Sequence, residues 1–159
     1  MLSECIRLRQ SLHQIPETGF EEFKTRDFLK AELEKTNPDT LESLAGTGLK
    51  AVYYTAGAEK TIAFRADMDG LNLAENGDAK YKSLHPDHMH GCGHDGHMTI
   101  LLLLAQMISG CRDWLTVNVV LLFQPAEEGK GGAKSMIRDG ALKNPDVDLI
   151  YGLHLWPDI

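Results

Sequence analysis

The chain has 159 residues, a net charge of −7, 25% charged residues and 43% hydrophobic residues. That length fits one domain with a core of its own, and an acidic balance without a basic run argues against a nucleic-acid surface. The most apolar run, MTILLLLAQMI at 98–108, is shorter than the roughly 20 residues of a membrane span, so no membrane partner is expected.

Residues 2–14 carry Leu2, Cys5, Ile6, Leu8 and Leu12 at helical spacing, and the spacing of Phe20, Phe23, Phe28, Leu29 and Leu33 predicts a second helix over 20–35. Pro16 and Gly19 separate the two. LKAVYYT (49–55) and TIAFRA (61–66) read as strands, with Gly57 in a link short enough for a hairpin. Residues 72–91 are polar and irregular, and a long apolar helix follows over about 95–109. LTVNVVLLF (115–123) is nearly continuous apolar sequence and reads as a buried strand. A helix over 131–142 and a strand over 147–155 complete the order. Strand, helix, strand, helix, strand is the grammar of an α/β sheet with helices on its faces.

No signal-peptide core precedes the first helix. Cys5, Cys92 and Cys111 are odd in number and widely spaced, which fits reduced thiols in the cytoplasm.

Three polar clusters each follow a predicted strand: ADMDG (66–70), QPAEEGKGG (124–132) and GLHLWP (152–157). A fourth, HMHGCGHDGHM (88–98), precedes the apolar helix. If the strands share a sheet, these clusters can converge at one edge, where α/β sheets gather ligands. Cys92 and His94 are thiol and imidazole two residues apart, between glycines that let the backbone approach an ion. A solvated loop is the competing reading and is preferred for His85 and His88; His90 and His97 are intermediate, His97 capping the helix or orienting a ligand. Glu127 and Glu128 follow a strand, where alternating side chains allow one to bind an ion and the other to act as general base. An acidic turn is the bland alternative. His154 gains weight as a third ligand only beside the others, and Asp67 and Asp69 read either as a capped turn or as carboxylates behind a ligand histidine.

FRADMDGL, MHGCGHDGHMTILLL, FQPAEEGKGGAKSMI and GLHLWP stand in the order of the metal-dependent N-acyl-amino-acid amidohydrolases, relatives of aminoacylase and the dinuclear zinc carboxypeptidases, and HQIPETGFEEFKT (13–25) is similar to their N-terminal signature. Gly91 stands where alanine is common, and Asn72 where proline usually follows. The resemblance implies a three-layer α/β sandwich with a central mixed, mostly parallel sheet. It implies two divalent metal ions, Zn2+ or Mn2+ with Co2+ or Ni2+ as options, held by Cys92, His94, Glu128 and His154. It implies Glu127 as general base and Asp69 steadying the site, with Asp67 less firmly placed. The substrate would be a small N-acyl amino acid, cleaved at its amide by a metal-activated water.

Members of that group continue past GLHLWP into a lid and dimerisation domain and then complete the catalytic sheet with one more histidine ligand. Residues 1–159 therefore read as the N-terminal portion of the catalytic domain, a fragment or truncated product with its last strand at an open edge, and the full-length protein as a homodimer through the lid. Two rivals stand: a catalytically inactive metal-binding half-domain, and a thiol hydrolase with Cys92 as nucleophile.

Overall fold

The computed structural model describes residues 2–156. Its elements are α1 (Leu2–His13), α2 (Phe23–Glu34), β1 (Thr40–Leu44), β2 (Gly48–Tyr53), β3 (Thr61–Asp67), α3 (His94–Gly110), β4 (Asn118–Gln124), α4 (Gly132–Arg138) and β5 (Leu149–Gly152). The five strands form one mixed sheet in the order β1-β2-β4-β3-β5. β3 pairs in parallel with both β4 and β5, while β1 with β2 and β2 with β4 are antiparallel.

Alternation along the central strands sorts side chains between two cores. Leu49, Ala51 and Tyr53 of β2 and Val119, Leu121 and Phe123 of β4 face Leu8, Leu12, Leu29, Leu33, Met98, Leu102 and Ala105 of α1, α2 and α3. Val52, Ala63, Val120 and Leu122 face the other way, onto Met136 of α4 and Ala141. The result is the expected three-layer α/β arrangement. β4 has its last six residues buried, as its apolar run requires, and it occupies the middle of the sheet.

That central place corrects one expectation. Residues 49–55 and 61–66 do not form a hairpin, because β4 lies between β2 and β3. The hairpin is β1–β2, which the sequence reading missed, and it turns through Ala45 and Gly46 at φ +51° and +83°. The second helix also begins later than residue 20: Phe20 stands at φ +67°, outside helical space, and Glu22 takes the N-cap place. α4 and β5 are shorter than expected, with Gly140 at φ +91° just beyond the α4 C-cap.

A buried polar clamp ties α1 to the first turn of α3. His13 Nδ1 donates to Asp95 Oδ2 at 2.7 Å, Arg9 Nε reaches the same oxygen at 2.7 Å, and His13 Nε2 lies 3.2 Å from Glu75 Oε1. The hydrogen bond to Asp95 is the main cause of a raised His13 pKa. Burial alone would raise Asp95, but His13, His90 and Arg9 hold it below the usual carboxylate range. A raised histidine pKa gives stability that is fully present below the unfolded value of 6.5 and is lost as pH climbs through the folded value. His13→Ala should therefore cost roughly 1.5–3 kcal/mol in urea denaturation at mildly acid pH, and the gap to the native chain should shrink as pH rises above 6.5. A gap that widens with pH would show that the His13–Asp95 pair is not the source.

Candidate metal centre

β3, β4 and β5 run parallel, so their carboxyl ends meet on one side of the sheet, and the amino end of α3 points there as well. Asp67 and Asp69 leave β3, Glu127 and Glu128 follow β4, His154 follows β5, and Cys92 and His94 enter α3. The three clusters that follow strands thus converge with the fourth, which opens α3. Pro157, the last residue of GLHLWP, lies outside the described residues.

His94 is the hub. Its Nδ1 donates to the Asp69 backbone carbonyl at 2.8 Å, which fixes the tautomer and leaves a lone pair on Nε2. Nε2 is buried without a hydrogen-bond partner. Around it stand Asp67 Oδ1 at 3.6 Å, Glu127 Oε2 at 3.9 Å and Glu128 Oε1 at 3.9 Å. An acceptor surrounded by acceptors in a buried place is unfavourable unless a cation lies between them. Burial disfavours the imidazolium, yet Asp69 and Asp67 outweigh it and raise the His94 pKa. A proton can supply the cation, and so can a metal ion, for which the donor set of imidazole, thiol and carboxylates is suited.

The backbone that carries the two glutamates is bent. Ala126 sits at φ +52°, so the alternation expected for an extended strand does not apply, and both carboxylates reach toward His94. Asp69 Oδ2 accepts the Glu128 N–H at 2.9 Å, and Ala126 C=O accepts the Gly132 N–H at 3.0 Å. Gly132 has no room for a side chain: a Cβ there would lie 1.7 Å from Pro125 O. Asp69 itself is 1% exposed, so it braces His94 and Glu128 from behind and does not face open space.

Cys92 Sγ lies 3.4 Å from His154 Nε2, and His154 Nδ1 donates to Leu155 O at 2.6 Å, leaving Nε2 as acceptor. Cys92, His94 and His154 bring ligand atoms within 4.8 Å of one another, and so do His94, Glu127 and Glu128. One imidazole nitrogen ligates one ion, so these groups share His94 and do not use it independently. Burial, followed by the charge of Glu128, pushes the Cys92 thiol up to about 11. A divalent cation reverses that sense, because it favours the thiolate.

A third cluster, Asp67 with His94 and His97, also lies within ligand spacing, but hydrogen bonds consume it. His97 Nδ1 donates to Asp67 Oδ1 at 2.6 Å, while its Nε2 accepts the Leu155 N–H at 2.8 Å. Asp67 Oδ2 is taken by Arg65 Nη1 at 2.7 Å. His97 has no lone pair left for a metal, and its bond to Leu155 holds the segment that carries His154. Of the other histidines, His85 and His88 stack on each other at 5.4 Å and join none of these clusters. His90 is 4% exposed, and both its ring nitrogens are without partners. It lines a cleft beside Cys92 and His154 together with Arg9 and Trp156. Sequence reading assigned nothing to Arg9, His13 or Glu22, whose partners lie far along the chain.

Residues 63–159 match Peptidase family M20/M25/M40. The chain belongs to that family. N-acetyldiaminopimelate deacetylase of Streptococcus suis is 45% identical over 159 residues, covering 98% of this chain and 42% of the relative. IAA-amino acid hydrolase ILR1-like 2 of Arabidopsis thaliana is 43% identical over 150 residues, covering 94% of this chain and 34% of the relative. Among solved structures, the Bacillus subtilis YXEP protein, described as a dinuclear metal binding peptidase from the M20 family, superposes with a TM-score of 0.91. It shares 32% identity, over 98% of this chain and 43% of its own. The chain thus spans about two fifths of the length of the deacetylases it matches. No helix among the described residues is long and apolar enough to cross a membrane.

If His97 acts through Leu155, His97→Ala should weaken cobalt(II) binding about tenfold in chelator competition, the usual cost of losing a partner that orients a ligand. Cys92→Ser should abolish the near-ultraviolet sulfur-to-cobalt absorption. Native affinity in His97→Ala would remove the orienting role.

Proposed function

We propose that the whole protein hydrolyses the amide bond of N-acyl amino acids, with two divalent ions, zinc or manganese, held in this centre by Cys92, His94, Glu128 and His154. The observation that carries the reading is the buried, unpartnered Nε2 of His94 among the carboxylates of Asp67, Glu127 and Glu128. The deacetylase and amino acid hydrolase relatives support an acylated amino acid as the substrate. The dinuclear YXEP neighbour supports a pair of ions.

Ions bound there supply Lewis acidity to the scissile carbonyl and make a water acidic enough to be deprotonated at neutral pH. Glu127 carries the proton. Its side chain is 38% exposed, so its carboxylate is open to solvent while still reaching toward His94. It takes a proton from the attacking water as the water oxygen bonds to the carbonyl carbon. It then delivers that proton to the amine nitrogen as the C–N bond breaks, giving a carboxylic acid and a free amino acid. Asp69 and His97 hold the ligands in place. The same reading includes a lid and dimerisation segment, one further histidine ligand, and a reducing cytoplasmic setting for the free thiols Cys5, Cys92 and Cys111.

A Cys92 nucleophile is disfavoured by its surroundings. An activated thiol needs neighbours that lower its pKa, whereas burial and Glu128 push this one up to about 11.

Glu127→Gln in the whole protein should lower kcat on N-acyl amino acids by roughly 10²–10⁴-fold, the range for loss of a general base, with metal content by elemental analysis unchanged. Turnover near the native rate would sink the assignment of Glu127.

A further inference from the structure

The segment between α1 and α2 is built against the loops of the metal centre. Glu17 C=O accepts the Gly70 N–H at 2.7 Å, next to Asp69. Glu17 Oε2 accepts the Thr25 N–H at 3.0 Å, which pins the segment to the start of α2. Gly19 packs so tightly on the other loop that a Cβ would fall 2.7 Å from Ala126 Cα, and Lys130 Nζ donates to Gly19 O at 3.0 Å.

Glu22 is the central contact. It is 0% exposed, and each carboxylate oxygen has one partner. Oε2 accepts the Thr47 hydroxyl at 2.5 Å, and Oε1 accepts the Ala126 N–H at 2.8 Å. A buried carboxylate is costly unless it is fully hydrogen-bonded. Its partner here is the residue held at φ +52°, immediately before Glu127 and Glu128. An apolar side chain would fill the same space but leave the Ala126 N–H buried without an acceptor.

We propose that Glu22 is a positioning residue for Glu127 and Glu128: by gripping the Ala126 amide it fixes the bent backbone from which both carboxylates reach His94. Its importance for metal binding rests on the metal-centre reading above. Its grip on the loop does not.

Amide hydrogen exchange followed by NMR on the metal-free chain tests the grip. Glu22→Met keeps the length of the side chain and removes both acceptor oxygens. Exchange at Ala126 and Glu128 should become about tenfold faster or more, while Val120 and Leu121 in β4 keep their native rates. Native rates at Ala126 and Glu128 would overturn the proposal. So would an equal rise at Val120 and Leu121, which would mark a merely structural role. If Glu22→Met does not fold, Glu22→Asp, one methylene shorter, carries the same two outcomes. Cobalt(II) affinity of the same samples should fall about tenfold, and native affinity beside fast exchange would also overturn the role. A native whole protein that takes up no cobalt would defeat the metal-centre reading, and the exchange rates would still decide for or against Glu22.

Discussion

The bond from His94 Nδ1 to the Asp69 carbonyl governs the rest of the site. Once that nitrogen donates, the other must accept, and it lies within 4 Å of carboxylate oxygens from three residues. Asp67 is buried there, while Glu127 and Glu128 are 38% and 34% exposed, so the crowding is sharpest between His94 and Asp67 and is relieved by a cation or borne by the surrounding fold. Burial works against the imidazolium, but Asp69 and Asp67 raise the pKa of His94, so a proton can serve as that cation. The carboxylate end is at ease only when positive charge is near His94, and the Cys92–His154 pair adjoins that same nitrogen.

The fold meets this requirement by making each loop of the candidate centre answer to a neighbour. Asp69 holds His94 through its carbonyl and Glu128 through its carboxylate. Arg65 and His97 divide the two oxygens of Asp67 between them. His97 then grips Leu155, beside His154. The same short parallel ladder from Thr61 to Asp67 sets β3 against β4, which brings Asp69 and Glu128 within reach of each other. The cores on both faces make that ladder rigid, since β4 is buried from Val119 to Gln124. Stability and site geometry thus come from the same strands.

Much of this was legible in the sequence because it depends on short-range pattern. The glycines beside Cys92 and His94, the paired glutamates after an unbroken apolar strand, and a histidine closing the last strand each stand out locally. Strand and helix alternation placed them at one edge. What stayed hidden depends on partners distant in the chain. β4 intervening between β2 and β3 cannot be read from either strand alone, and it displaced the expected hairpin to residues 40–53. His13 meets Asp95 across 82 residues, and Glu22 meets Ala126 across 104. The two adjacent glutamates looked like an alternating strand pair. The positive φ of Ala126, which no side-chain pattern announces, turned both the same way.

The residues of the candidate centre are not equally supported, and the difference follows from the sheet. His94 is buried and enters a 17-residue helix whose inner face fills the larger core. Glu127 and Glu128 follow the central strand. His154 follows β5, an edge strand of four residues, all exposed, bound to the sheet through β3 alone. Leu149, Ile150 and Tyr151 are about half exposed, although their composition is that of a parallel strand with both faces covered. The segment beyond β5 is held by specific polar and close-packed contacts: the Leu155 N–H on His97, and Leu155 Cδ1 against the bare Cα of Gly93. Gly93 therefore serves two ends. Its φ of +82° opens α3 at His94, and its missing side chain admits the segment that brings His154 to Cys92. A side chain at that one position would disturb both halves of the cluster without replacing any of its metal-ligating candidates.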